Sequence, residues 1–369
     1  MTDKASVMLA AGGTGGHLFP AYALAEELAR RGVAVDLITD MRGDRYGAGF
    51  PARAVYQVPA ATLASRTPVA AVQTAIALAR GTKAAHAIIG KVKPSVVIGF
   101  GGYPTYPPLV AARLRRVATL VHEQNSVLGR ANRLLAKRVT AIATSFERTK
   151  YLDDDLITKS RFTGNPVRQA VVAAAARAFE PISVSGPIRL LVFGGSQGAR
   201  FFSVSLPPAL AALPQDLKSR LQVVQQAREE DIARVQQAYA QSGITAEVAP
   251  FFKDLPVRMA AAHLIIGRAG ASTVAELTVI GRPSLLVPLP HALDNDQLNN
   301  ALRLAESGGG WCIEQKDLTG DRLTVEIARL ITNPPALAAA AEAAKRAGRP
   351  DAVARLADFV LELASGRRI

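Results

Sequence analysis

The feature that most constrains this chain is a plan used twice. "SVMLAA" runs into "GGTGGH" and then "AYALAEELARRG" near the start, and "RLLVFGGSQGA" repeats the order from residue 189. Each instance reads as an apolar strand, a glycine-rich turn and a helix. Short continuous apolar strands separated by helices predict a parallel sheet covered on both faces. In the first half, strands are expected at 6–11, 33–39, 54–58, 96–100, 118–122 and 139–143, with helices that include 68–80 and 130–138. The stretch "ARAFEPISVSGPI", 176–188, interrupts the pattern with two prolines and a glycine. After the strand opening at 189, further strands are expected near 221–225, 246–251, 263–267, 284–288 and 311–314. A helical segment, 335–365, closes the chain with a break near 348–350.

The expected architecture is therefore α/β, two doubly wound domains in tandem. The chain has 369 residues, too many for one ordinary core. The domains are expected at 1–165 and 166–349, with a terminal helix in 350–369 packing back on the first. Ligands of such sheets bind beyond the carboxyl ends of the strands, so two facing domains would form a cleft walled by glycine-rich loops.

Charge narrows the partners. The net charge of +14 favours polyanions: nucleic acid, acidic lipid headgroups or phosphorylated substrates. Aromatic residues are only 5% of the chain and no long Lys/Arg tail exists, which argues against nucleic acid. No apolar stretch reaches the ~18 residues of a transmembrane helix. "MTDKASVML" lacks the pattern of a secretory signal. The single cysteine, Cys312, excludes an intramolecular disulfide and fits a reducing cytosol.

Three glycine-rich loops follow apolar strands: Gly12–Gly16, Gly99–Tyr103 ("GFGGY") and Gly194–Gly198 ("GGSQG"). Bare backbone N–H groups at a helix start suit phosphate. No Lys-Ser/Thr pair completes a P-loop, and Leu18 occupies the last glycine position of a dinucleotide fingerprint. Asp36 stands about 20 residues on, where a ribose-binding acid would be, and keeps a nicotinamide enzyme as a weak alternative.

"GGTGGH", "GFGGY", "HEQN", "GNPVR", "GGSQGA" and "GRAGASTVAE" occur in this order between about residues 6 and 310. As a set they resemble the MurG family, the UDP-N-acetylglucosamine–N-acetylmuramyl-(pentapeptide) pyrophosphoryl-undecaprenol N-acetylglucosamine transferases. The resemblance implies a glycosyltransferase-B fold, two Rossmann-like domains facing a cleft. It implies inverting transfer of GlcNAc from UDP-GlcNAc to the 4-hydroxyl of MurNAc in lipid I, forming lipid II for peptidoglycan. It also implies a peripheral protein on the cytoplasmic face of the inner membrane. The implied partners are UDP-GlcNAc, lipid I and an anionic membrane, with no nucleic acid and no cofactor. Competing readings are another UDP-sugar enzyme of this fold, such as a UDP-GlcNAc 2-epimerase or a glycolipid synthase, and a non-catalytic two-domain binding protein.

The resemblance assigns UDP-GlcNAc contacts to Thr14, Gly15, Gly16, Asn125, Arg168, Ser196, Gln197, Phe252, Arg268, Ala271, Ser272, Thr273, Glu276 and Gln297. Glu276 would grip the ribose hydroxyls, for which a carboxylate offers two acceptor oxygens. Phe252 matches an apolar position whose backbone reads uracil. Around Gln297 the family more often carries paired Gln or His-Gln, and here Asp296 precedes it. Gly13, Gly101, Gly102 and Tyr103 would cradle the acceptor diphosphate. His17 is the first candidate for the base, because neutral imidazole titrates near the working pH, and Glu123 is the second. Two D-x-D patterns, Asp153–Asp155 and Asp294–Asp296, are read as surface turns, and no metal site is expected. In "RTPVAAVQTAIALARGTK", 66–83, Val69, Val72 and Ile76 share a helix face, Leu78 flanks it and Arg66, Arg80 and Lys83 surround it. With the clusters Arg113–Arg116 and Arg130–Arg138, this suits an anionic interface.

Overall fold

The computed structural model describes residues 6–12, 15–40, 49–60 and 67–366, without the side chains of residues 15, 68, 69, 71 and 196–199. The chain divides into two compact units, residues 1–168 with 350–369, and residues 169–349.

The first unit is built on seven strands: β1 (Ser6–Ala10), β2 (Ala34–Thr39), β3 (Ala54–Gln57), β4 (Val96–Gly99), β5 (Ala118–Glu123), β6 (Ala141–Thr144) and β7 (Ser160–Phe162). They form one sheet in the order β3-β2-β1-β4-β5-β6-β7, every pair parallel. Alternation along β1 shows why its run is apolar throughout. Val7 and Leu9 join one core with Leu24 and Leu28 of helix Gly15–Arg30; Met8 and Ala10 join a second with Ala85 and Ile89 of helix Pro68–Val92. The last helix, Ala352–Ala364, contributes Leu356, Phe359, Val360 and Leu363 to the first of these cores.

The second unit contains β8 (Ile188–Phe193), β9 (Leu221–Gln226), β10 (Thr245–Ala249), β11 (Leu264–Gly267), β12 (Ser284–Leu286) and β13 (Gly310–Cys312). Their order is β10-β9-β8-β11-β12-β13, again all parallel. In both units the strand order reverses beside the first strand, between β1 and β4 and between β8 and β11. Loops leaving those strands flank the point where an open α/β sheet takes its ligand.

Two local expectations differ from the structure. The helix expected at 68–80 continues to Val92, through Gly81 and Gly90. Neighbouring backbone explains Gly81, where a Cβ would run into the Pro59 carbonyl oxygen, whereas at Gly90 a Cβ would meet the end of the flexible Arg115 side chain. The strand β7, "SRF", carries no apolar run and was not expected. The proline-bearing stretch 176–188 lies inside the second unit. Ile182 is buried in that unit's core, and the buried Arg282 donates to the carbonyls of Arg177 and Ala178 at 2.8 and 3.1 Å.

His263 leads into β11. It is buried, and its Nδ1 accepts from the Arg189 backbone N–H at 3.1 Å. Burial, then the Arg189 guanidinium, pushes its pKa down to about 4. The folded chain thus holds this imidazole neutral where the unfolded chain, titrating near 6.5, takes up a proton. Stability should fall as pH drops from about 6.5 to about 4, by roughly 1–3 kcal/mol from this residue. Urea denaturation of His263→Asn, which keeps an acceptor, should show a shallower loss over that range; an unchanged pH dependence would refute the assignment.

Candidate active site

In the first unit the loops after β1, β4 and β5 converge on His17. His17 is half-buried in helix Gly15–Arg30. Its ring lies across the Gly101–Gly102 backbone: a Cβ at Gly101 would stand 3.3 Å from its Cε1, and one at Gly102 would stand 3.5 Å from its Nε2. Both glycines have left-handed backbones, φ +87° and +71°, which side chains disfavour. Tyr103 opens the short turn that follows. His17 Nδ1 meets Gln124 Oε1 at 3.2 Å.

The "HEQN" segment ends β5. His122 is fully buried, its Nε2 3.1 Å from the Gly164 carbonyl, and burial pushes its pKa down to about 4. Glu123 is also buried. Its Oε1 accepts from the N–H and Nδ2 of Asn125 at 3.0 and 3.2 Å. Its Oε2 accepts from the Gly129 N–H and Asn132 Nδ2, both at 2.8 Å. Burial pushes the carboxyl pKa up, and those donors oppose the shift. At the end of the unit, the Arg168 guanidinium lies 5.1 Å from the ring centre of the exposed Phe19.

In the second unit, helix Gly195–Ala211 starts from Gly194 and helix Ala271–Ile280 from Gly270, neither with a capping side chain. The first backbone bond of the latter helix runs from Val274 N–H to the Gly270 carbonyl. The N–H groups of Ala271, Ser272 and Thr273 precede it, so they have no partner within the helix. Ser272 Oγ is enclosed without a hydrogen-bond partner among the described residues. Glu276 is buried in the second turn, beyond the first-turn positions where an acid chiefly serves the helix dipole. Gln297 Oε1 accepts from the N–H groups of Ala269 and Leu289 at 3.2 and 3.0 Å, tying the loop after β11 to the loop after β12. Phe252 is buried with the Arg258 guanidinium 4.4 Å from its ring centre, beside the exposed Phe251.

The glycosyltransferase family 28 N-terminal domain matches residues 7–144, and the family 28 C-terminal domain matches residues 189–356. Over 365 residues the chain is 52% identical to a UDP-N-acetylglucosamine–N-acetylmuramyl-(pentapeptide) pyrophosphoryl-undecaprenol N-acetylglucosamine transferase of Rhodopseudomonas palustris, covering 99% of this chain and 100% of that one. The chain belongs to this MurG transferase family. The crystal structure of Acinetobacter baumannii MurG superposes with a TM-score of 0.80 at 29% identity, covering 97% of this chain and 99% of that one. A UDP-GlcNAc 2-epimerase from Neisseria meningitidis bound to UDP-GlcNAc also superposes, with a TM-score of 0.64 at 13% identity, covering 97% and 100%. That second likeness shows the fold alone.

Two of the MurG-type assignments fall on side chains that the fold itself engages. Four donors of its own loop and of helix Arg130–Ala136 occupy both Glu123 oxygens, and the side chain is enclosed. The Arg268 side chain, expected at UDP-GlcNAc, turns inward. It is buried against Phe201 and Phe202 and donates to the carbonyls of Val287 and Pro288, both at 3.0 Å, and to Gln315 Oε1 at 2.7 Å. Burial pushes its pKa down to about 10, so it stays charged and holds the exit of β12. The nicotinamide alternative also fails. Asp36 lies inside β2, with Oδ2 2.5 Å from Arg53 Nη2, and the side chain is fully buried. Gly13 and Thr14, and the side chains of Ser196 and Gln197, lie outside the described residues. Among the described residues no three acidic, histidine or cysteine groups converge to hold a metal ion. Sequence reasoning missed Gln124 and Asn132. Gln124 stood inside a quoted motif; Asn132 lay in a helix with no motif to mark it.

Proposed function

We propose that this chain transfers GlcNAc from UDP-GlcNAc to the 4-hydroxyl of MurNAc in lipid I, with inversion, giving lipid II at the cytoplasmic face of the inner membrane. The observation that carries this reading is near-full-length identity of 52% to a transferase bearing that name. The second unit takes the donor. The N–H groups of Ala271, Ser272 and Thr273, which have no partner within their helix, and the helix start at Gly195 stabilise the charge that develops on UDP as the C1–O bond breaks. The N–H groups of Ser196 and Gln197 and the Arg168 guanidinium add to that positive field, and Phe252 lies beside uracil. Glu276 accepts from the ribose hydroxyls, while Gln297 and Asn125 contact the sugar. The first unit takes the acceptor diphosphate on the loops around Gly13 and Gly101–Tyr103, with Thr14, Gly15 and Gly16 beside the donor. His17 removes the proton of the attacking hydroxyl.

Membrane association rests on helix Pro68–Val92 and its surroundings. Val72 and Ile76 are exposed on it, and Leu114 and Leu134 are exposed nearby in sequence to Arg113, Arg115, Arg116 and Arg138. Apolar side chains among cations suit an anionic surface. Arg66 and the side chain of Val69 lie outside the described residues. Among the described residues no helix is long and apolar enough to cross a membrane.

Incubation with radiolabelled UDP-GlcNAc and a lipid I analogue tests the reading. Label is expected in a lipid-linked disaccharide. Recovery only as an epimerised UDP-sugar, or as unreacted donor, would overturn it. Within the donor site, Glu276→Ala should weaken UDP binding by roughly ten- to over a hundredfold, the worth of a hydrogen bond to a charged group. Calorimetry on the folded variant decides this: an unchanged dissociation constant would remove Glu276 from the ribose.

A further inference from the structure

We infer that Gln124 is a positioning residue that fixes the proton of His17 on Nδ1 and so turns the basic lone pair onto Nε2. The inference rests on the reading of His17 as the base. Its ground is a chain of hydrogen bonds whose polarity can be worked out from one end. The Gln124 Nε2 lies 2.9 Å from the main-chain oxygen of His122 and 2.9 Å from His122 Nδ1. A carbonyl oxygen can only accept, so the amide nitrogen must occupy this position and Oε1 must occupy the other. Oε1 faces His17 Nδ1 at 3.2 Å. An amide oxygen can only accept, so His17 Nδ1 carries a proton.

The far end agrees. His122 Nε2 lies 3.1 Å from the Gly164 carbonyl, so that nitrogen is the donor. Burial keeps the ring neutral, and Nδ1 is then the acceptor that the Gln124 amide requires. The two histidines therefore hold opposite tautomers, His122 protonated on Nε2 and His17 on Nδ1. Gln124 itself is buried, so water does not compete for either contact. A free neutral imidazole can carry its proton on either nitrogen, and the partner of one nitrogen decides what the other can do. With Nδ1 occupied by a proton, Nε2 is the atom that accepts the hydroxyl proton. His17 then becomes an imidazolium whose new charge the Gln124 carbonyl dipole stabilises. The same ring carries Nε2 toward Gly102, in the loop proposed to hold the acceptor diphosphate.

The test reads protons directly. The chain has five histidines, so the imidazole nitrogens can be followed by NMR on protein labelled with 15N-histidine, with His17→Asn identifying the His17 signals. Above neutral pH, wild-type His17 should show a protonated Nδ1 and an unprotonated Nε2, and His122 the reverse. Gln124→Met keeps the volume and removes the amide. It should shift the His17 proton toward Nε2 and lower kcat about tenfold, the worth of one hydrogen bond. The acceptor KM and the UDP-GlcNAc affinity, the latter a control for folding, should change by less than about twofold. A wild-type His17 protonated on Nε2 would overturn the inference without any variant. So would a Gln124→Met protein with an unchanged His17 tautomer and unchanged kcat. The spectrum decides the tautomer independently of turnover, whereas activity of His17→Ala decides separately whether His17 is the base.

Discussion

His17→Ala is expected to lower kcat by roughly a hundredfold to ten-thousandfold at saturating acceptor, the usual contribution of a positioned base. UDP-GlcNAc binding should stay near wild type, because the proposed contacts to the nucleotide come mainly from the second unit and His17 belongs to the first. The histidine also touches the Gly101–Gly102 loop, so a mere phosphate contact is the competing role. The two roles separate kinetically. A nearly normal kcat with a raised acceptor KM would take His17 out of the chemistry and leave it as a diphosphate ligand.

Glu123→Ala should act on the fold. Its carboxylate accepts from Asn125 twice, from Gly129 and from Asn132, and so closes the loop that carries Gln124 and Asn125. Removing it leaves buried donors unpaired, and a loss of roughly 3–5 kcal/mol is expected. Urea denaturation monitored by circular dichroism measures this. A variant as stable as wild type, with kcat alone reduced, would return Glu123 to the list of candidate bases. The consequence for activity is indirect: a loosened loop releases Gln124, and with it the orientation of His17.

Much of this architecture is legible in residue order, and the reason is local. Parallel strands buried on both faces must be apolar throughout, so β1, β4, β8 and β11 declare themselves, and a glycine-rich turn after each marks where ligand sits. Legibility stops where a residue's partner lies far along the chain. Arg268 follows β11 directly and is expected to contact UDP-GlcNAc. The carbonyls of Val287 and Pro288, some twenty residues on, turn it inward. Glu123 stands at the end of a strand, where catalytic acids are found, yet Asn125 engages one of its oxygens and Gly129 and Asn132 the other. The same holds for the helix expected to stop near residue 80. Gly81 looks like a break until the Pro59 carbonyl is seen against it. Neither Gln124 nor Asn132 carries a signature of its own, since an amide's role depends on which neighbours accept from it and which donate to it.

The central claim is a single displacement at the donor C1, driven by a side-chain base and by backbone N–H groups in place of a metal ion. The anomeric configuration of the lipid-linked product, made from α-linked UDP-GlcNAc in the presence of EDTA and read from its proton coupling, tests that claim most directly. A β-linked disaccharide formed at the rate seen with magnesium is expected. An α-linked product, or turnover that requires a divalent metal, would contradict it.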